Sequence, residues 1–94
     1  MPYALVYHPA VQRQDIPRID ARLRARLARA IAERLTTAPQ RFGEPLRGTL
    51  KGCWKLRVGD YRVVFRVAID EAWIFAIIHR RDVYRRVEDR LSEP

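Results

Sequence analysis

The chain has 94 residues, enough for one modest hydrophobic core and not for two, so residues 1–94 are expected to form a single domain. Hydrophobic residues make up 48% of it and charged residues 32%, a globular composition that excludes a disordered chain. The formal net charge of +8 favours a polyanionic partner, and Cys53, the single cysteine, excludes an internal disulfide and a thiolate metal cage.

The first residues lack the basic region and long apolar run of a signal peptide. No stretch approaches the roughly 18 apolar residues of a membrane span. A cytoplasmic protein without membrane association is expected.

Tyr3 to Tyr7 is aromatic and β-branched and stops at His8-Pro9, which predicts a first strand. Ala10 to Ile16 has the length of two helical turns, with Pro17 expected to end them. Asp20 to Leu35 carries the strongest helical pattern. Asp20 suits the N-cap, and Leu23, Leu27, Ala30, Ile31 and Leu35 form one apolar stripe. Arg22, Arg26 and Arg29 occupy another face, either solvated or in contact with nucleic acid. Thr36 to Gly52 is a long connection rich in proline and glycine, with Phe42 and Leu46 expected to pin it to the core.

Two alternating stretches then flank Gly59-Asp60, the pattern of a hairpin with a glycine-first turn. The implied register sets Val58 against Tyr61, Arg57 against Arg62, Lys55 against Val64 and Cys53 against Arg66. Trp54, Leu56, Val58, Tyr61, Val63, Phe65 and Val67 are then expected to face the helices. A second turn at Asp70-Glu71 leads into a strand from Trp73 to Ile78 and, in a two-residue register, places Arg62 against His79. Trp73, Phe75 and Ile77 fall on the sheet face away from the helices, to be covered by the C-terminal helix or by a partner. Asp82 to Leu91 reads as that helix, with Val83, Val87 and Leu91 on one side and Tyr84 at the edge of the stripe.

Like charges directly opposite in a sheet are destabilising, so Arg57 against Arg62 is a local cost. Such violations cluster at functional sites. A phosphate removes the cost by giving both guanidinium forks a shared acceptor. His79 adds an imidazole able to exchange a proton near neutral pH, and Tyr84 adds a phenol for stacking or proton transfer. Carboxylates lack metal-ligand spacing, no glycine-rich phosphate loop precedes a helix, and no serine triad can be assembled, so neither a metal nor a nucleotide cofactor is expected. The set fits metal-free cleavage of RNA by its own 2′-hydroxyl, with the cations neutralising the transition state.

The segments Pro-Leu-Arg-Gly (45–48), Trp-Lys-Leu-Arg-Val-Gly-Asp-Tyr-Arg-Val-Val-Phe (54–65) and His-Arg-Arg-Asp-Val-Tyr (79–84) resemble the RelE/ParE superfamily of toxin–antitoxin toxins, in particular its RelE branch. The resemblance implies an α+β fold, with two N-terminal helices on a four-stranded, antiparallel-dominated sheet and a short C-terminal helix. It also implies a toxin that cleaves mRNA in the ribosomal A site, needs no cofactor and is neutralised by a cognate antitoxin.

By position, Lys55 resembles the family's first catalytic lysine, and Arg57 stands where some members have a second. Arg62 resembles the phosphate-binding arginine, and Arg80 or its neighbour Arg81 the arginine at the leaving group. Tyr84 resembles the tyrosine that stacks on or activates the nucleotide. Arg57 cannot act as a base, which leaves that duty to Lys55, His79 or Tyr84. Arg47, Lys51, Arg66 and Arg81 are expected to support RNA binding. Two other readings compete: a gyrase-inhibiting toxin of the ParE branch, and a nonenzymatic RNA-binding homologue.

Overall fold

A mixed sheet in the order β1-β5-β4-β3-β2 organises the chain. The structure, a computed structural model, describes residues 2–92. β1 (Ala4–Tyr7) runs parallel to β5 (Glu71–His79). β5, β4 (Tyr61–Val67), β3 (Trp54–Val58) and the two-residue β2 (Glu44–Pro45) pair antiparallel. The sheet therefore has five strands where four were expected. The extra one, β2, is an edge piece of the Pro/Gly-rich connection.

Between β1 and the sheet proper lie a π-type turn (Val11–Asp15), a 3-10 turn (Ile16–Arg18) and α1 (Ala21–Ala30). Pro17 does not end the first helical segment. It sits inside the tight 3-10 turn, near whose start a missing N–H costs nothing. Asp20 caps α1 by accepting the N–H of Arg22 at 2.9 Å. The helical path then widens into a second π-type turn, Ile31–Leu35, before the short α2 (Pro39–Phe42). α3 (Val83–Ser92) closes the fold, and among the described residues no helix is long and apolar enough to cross a membrane.

The helix stripe and the hairpin meet as their patterns predict. Leu27, Ile31 and Leu35 are buried with Leu56, Val58, Val63 and Phe65 in one cluster. Burying such side chains stabilises by about 1.5–3 kcal/mol each. The opposite sheet face is also covered. Val83 and Val87 of α3, with Leu46 and Leu50 of the connection, bury Cys53, Val64, Ala76 and Ile78. Leu46 pins the connection as expected, whereas Phe42 is 48% exposed at the sheet edge. Gly43 passes so near the core that a Cβ there would lie 2.6 Å from Cζ of the buried Phe65.

β5 departs from its expected register. Val67 pairs with Ala72, so the turn lies one residue earlier than Asp70-Glu71. A bulge then shifts the ladder, with Phe65 opposite Ile74 but Val64 opposite Ala76. The two offsets leave Arg62 against Ile78 and His79 against Tyr61, not Arg62 against His79. The bulge also turns Ile77 toward the helix-packed core, while Trp73 stays 45% exposed and Phe75 packs at the margin of the α3 cluster.

β1 ends at Tyr7, opposite Ile74, and beyond it no strand among the described residues covers the outer edge of β5. A buried ion pair takes the place of that strand. Arg90 donates to both carboxylate oxygens of Asp15, at 2.8 and 2.9 Å. Asp15 accepts the N–H of Ile77 at 2.9 Å, and Arg90 donates to the carbonyl of Phe75 at 2.8 Å. The edge groups around the bulge are thus satisfied by side chains from the first helical turn and the last helix.

Candidate active site

The hairpin forms because Gly59 adopts a φ of +59°, a left-handed conformation that side-chain-bearing residues disfavour, between two alternating strands. Its register places Arg57 directly opposite Arg62, and Lys55 opposite Val64 on the same face. On the other side of Lys55, β2 brings Glu44 into register with it. Lys55, Arg57 and Arg62 line a cleft of about 150 Å³ together with Arg34, Phe42 and Glu44. Among the described residues, neither Lys55 nor the three arginines have a carboxylate oxygen within 4.0 Å.

Arg62 is held from behind. Its Nη1 donates to the carbonyls of Gly59 and Tyr61, each at 2.9 Å. Partial burial, and then the positive charges of Arg57 and Arg80, push its pKa below the ordinary arginine value, against a smaller opposing pull from Asp60 and Glu44. Arg57 and Arg80 thus each act on Arg62 as a like charge. An anion between them would relieve the repulsion.

Arg80 reaches this cluster through the turn. Its N–H donates to the Asp60 carbonyl at 2.8 Å, and its Nε lies 3.9 Å from the Asp60 carboxylate. Tyr84, in the first turn of α3, is 45% exposed, and its hydroxyl accepts the N–H of Arg47 at 3.5 Å. Arg47 and Tyr84 therefore sit together where α3 meets the connection. Lys51 is exposed just after the Gly48–Leu50 turn, and Arg81 is exposed beside Arg80.

Two expected members stand apart. His79 belongs with Tyr61 on the helix-packed face. Its ring meets the Tyr61 ring edge-on at 5.7 Å and lines a small cavity with Asp15, Asp82 and Arg86. Its Nδ1 accepts the N–H of Arg81 at 3.3 Å. The strand alternation that turns Arg62 toward the cleft turns His79 away from it. Arg66 lies one further turn of the pleat along β4, where its Nε donates to Sγ of Cys53 at 3.3 Å and its guanidinium stacks 5.8 Å from the Phe75 ring centre. It joins the packing at the far end of the face.

Sequence patterns did not point to Glu44, Phe42 or Arg34 as lining residues. A two-residue strand is too short to show alternation, and Arg34 lies within the π-type turn that breaks the helical spacing. A lone acid between glycine and proline beside the lysine strand was the available signal for Glu44.

Residues 5–84 match the family described as ParE toxin of type II toxin–antitoxin system, parDE. The chain belongs to this toxin family, on its RelE-like side. Toxin RelG of Mycobacterium tuberculosis is 32% identical over 88 residues, which span 92% of this chain and all of RelG. Toxin RelE of the same organism is 37% identical over 68 residues, covering 69% of this chain and 68% of that protein. The fold of this toxin superposes on a chain of the toxin–antitoxin complex RelBE2 from Mycobacterium tuberculosis with a TM-score of 0.78 and 28% identity, covering 87% of this chain and 95% of the other.

Proposed function

We propose that this toxin is a ribosome-dependent endoribonuclease that cleaves mRNA in the A site and so inhibits translation. The observation that carries the reading is Arg57 set directly against Arg62, with Lys55 on the same face and Arg80 brought in by the turn. Without an anion this grouping is a cost. With a scissile phosphate it becomes a cradle of donors.

In the reaction the 2′-oxygen bonds to phosphorus as the bond from phosphorus to the 5′-oxygen breaks, leaving a 2′,3′-cyclic phosphate and a 5′-hydroxyl. Arg57 and Arg62 hold the non-bridging oxygens and stabilise the charge that grows on them. Arg80 faces the leaving 5′-oxygen and stabilises its negative charge, and that oxygen takes its proton from water to become the 5′-hydroxyl. The 2′-hydroxyl proton must pass to a group that can lose its own, which on this face means Lys55 or Tyr84 and not a guanidinium. Tyr84 also offers a ring on which a base can stack. Arg47, Lys51 and Arg81 supply further positive charge along the RNA, and the chemistry needs no metal or cofactor.

A cognate antitoxin is the second partner, a reading supported by the RelBE2 relative, which was solved as a toxin–antitoxin complex. Trp73 is 45% exposed, on the same side of β5 as Phe75, which stacks on His8 at 5.1 Å. α3 leaves this surface open, and Arg66 beside it suits an apolar segment carrying acidic residues.

Purified protein added to ribosomes carrying a defined message tests the proposal. Cleavage in the A site, lost when the cut nucleotide is 2′-deoxy and lost in Lys55→Ala with Arg62→Ala, is the expected result. Undiminished cleavage by the double variant would show that the site is elsewhere. Inhibition of gyrase supercoiling with ribosome-bound message intact would favour the gyrase-directed reading. Salt-dependent RNA binding without any cleavage would favour the nonenzymatic one.

A further inference from the structure

α1 carries Arg22, Arg26 and Arg29 at four- and three-residue spacing, so that like charges neighbour one another along one helix face. Such pairs weaken a helix. Arg26 and Arg29 look across to the Gly59-Asp60 turn, and with Arg34 and Arg57 they line a cleft of about 560 Å³. Glu33 and Asp60 also line it, yet among the described residues none of the four arginines has a carboxylate oxygen within 4.0 Å. Gly59 adds no side chain. A Cβ there would stand 3.4 Å from Nη1 of Arg26, in ordinary contact, so the turn lies directly beside that guanidinium.

We propose that this cleft is a second phosphate-binding site, which grips the sugar-phosphate backbone of RNA adjoining the candidate active site. Arg34 and Arg57 line both clefts, so the two basic surfaces are continuous around the tip and edge of the hairpin. Guanidinium forks match phosphate oxygens two at a time. The apolar lining is only Ala30 and Val58, without the aromatic or large aliphatic pockets that anchor a protein partner. The repulsive arginine row on α1 thus acquires a role that packing does not give it. The inference takes the identity of the strand from the RNA-cleaving reading, but its test is separate from cleavage.

The probe is a 2′-O-methyl RNA oligomer, which this chemistry cannot cut, titrated with the full chain at several salt concentrations. The Arg26→Ala/Arg29→Ala variant is expected to lower the slope of log affinity against log salt by about 1.4, corresponding to two phosphates released from a single strand at about 0.7 each. The Arg13→Ala/Arg18→Ala variant removes equal charge outside the cleft and is expected to keep the slope, with thermal melts confirming that both variants fold. A raised KM on programmed ribosomes with an unchanged oligomer slope would support the site and assign it to ribosomal RNA instead of message. Equal losses in both variants, or no change in slope and KM, would overturn it. So would weaker binding of an acidic polypeptide with every RNA measurement unchanged. If the wild-type protein cleaves nothing, the catalytic reading falls and the slope still decides the cleft.

Discussion

Arg90 grips Asp15 in the interior through two hydrogen bonds of 2.8 and 2.9 Å, tying the last helix to the first helical turn across β5. Both side chains are nearly inaccessible, at 7% and 1% exposure. Removing Arg90 leaves the Asp15 charge buried and opens the hydrogen bond to the Phe75 carbonyl, while Asp15 still accepts from Ile77. Arg90→Ala is therefore expected to destabilise the fold by about 3–5 kcal/mol, read as a fall in the urea midpoint with little change in slope. A midpoint unchanged within error would mean that solvent reaches Asp15 and the pair does not replace a strand.

Arg57→Gln is expected to move stability and activity in opposite directions. Relief of the repulsion across the hairpin should stabilise the protein by about 0.2–1 kcal/mol. Loss of a donor to the phosphate should lower cleavage on ribosomes by about 10²–10³-fold. Denaturation and cleavage measured on the same preparation check both halves. A variant that is less stable and fully active would refute the cradle.

The geometry separates the three proton-carrying candidates. His79 faces away from the cleft, so His79→Gln should leave cleavage within about twofold of wild type. Lys55→Ala should lower it by about 10²–10⁴-fold if the amine exchanges the proton. Tyr84→Phe keeps the ring and loses the hydroxyl, so comparison with Tyr84→Ala divides stacking from proton transfer. A large loss in His79→Gln with unchanged stability would place the imidazole in the reaction after all.

Gly43→Ala tests the packing under the cleft. The added carbon would meet a fully buried Phe65 at 2.6 Å and has no open space to move into. Overpacking of this kind should cost about 1–3 kcal/mol in denaturation experiments. Because Gly43 immediately precedes Glu44, cleavage should fall as well, through displacement of β2. Unchanged stability would show that Phe65 can repack.

The hairpin and its basic face are legible in the sequence because every cue there is local. A glycine-first turn and strict alternation fix the pairing of residues 54 to 65, and Arg57 meets Arg62 as that pattern requires. The place of His79 is not legible. Its error comes from a turn one residue early and a bulge near Phe75, neither of which has a nearby glycine to mark it. The groups that satisfy the edge at the bulge lie far away in sequence, at Asp15 and Arg90, and neither charge looks unusual in its own segment. Val64 shows the same limit. It alternates with Lys55 and Arg57 as though it were on a polar face, yet α3 buries it.

The Asp15–Arg90 pair also separates the order of synthesis from the order of assembly. Lys55, Arg57 and Arg62 leave the ribosome as part of a hairpin whose pairing is short-range. Arg80 and Tyr84 take their positions only with β5 and α3, and the outer edge of β5 is completed by a residue from α3 meeting one made near the start. Long-range closure of this kind is slow compared with forming a hairpin. A nascent chain would therefore carry most of its proposed catalytic groups before the fold could bring them together.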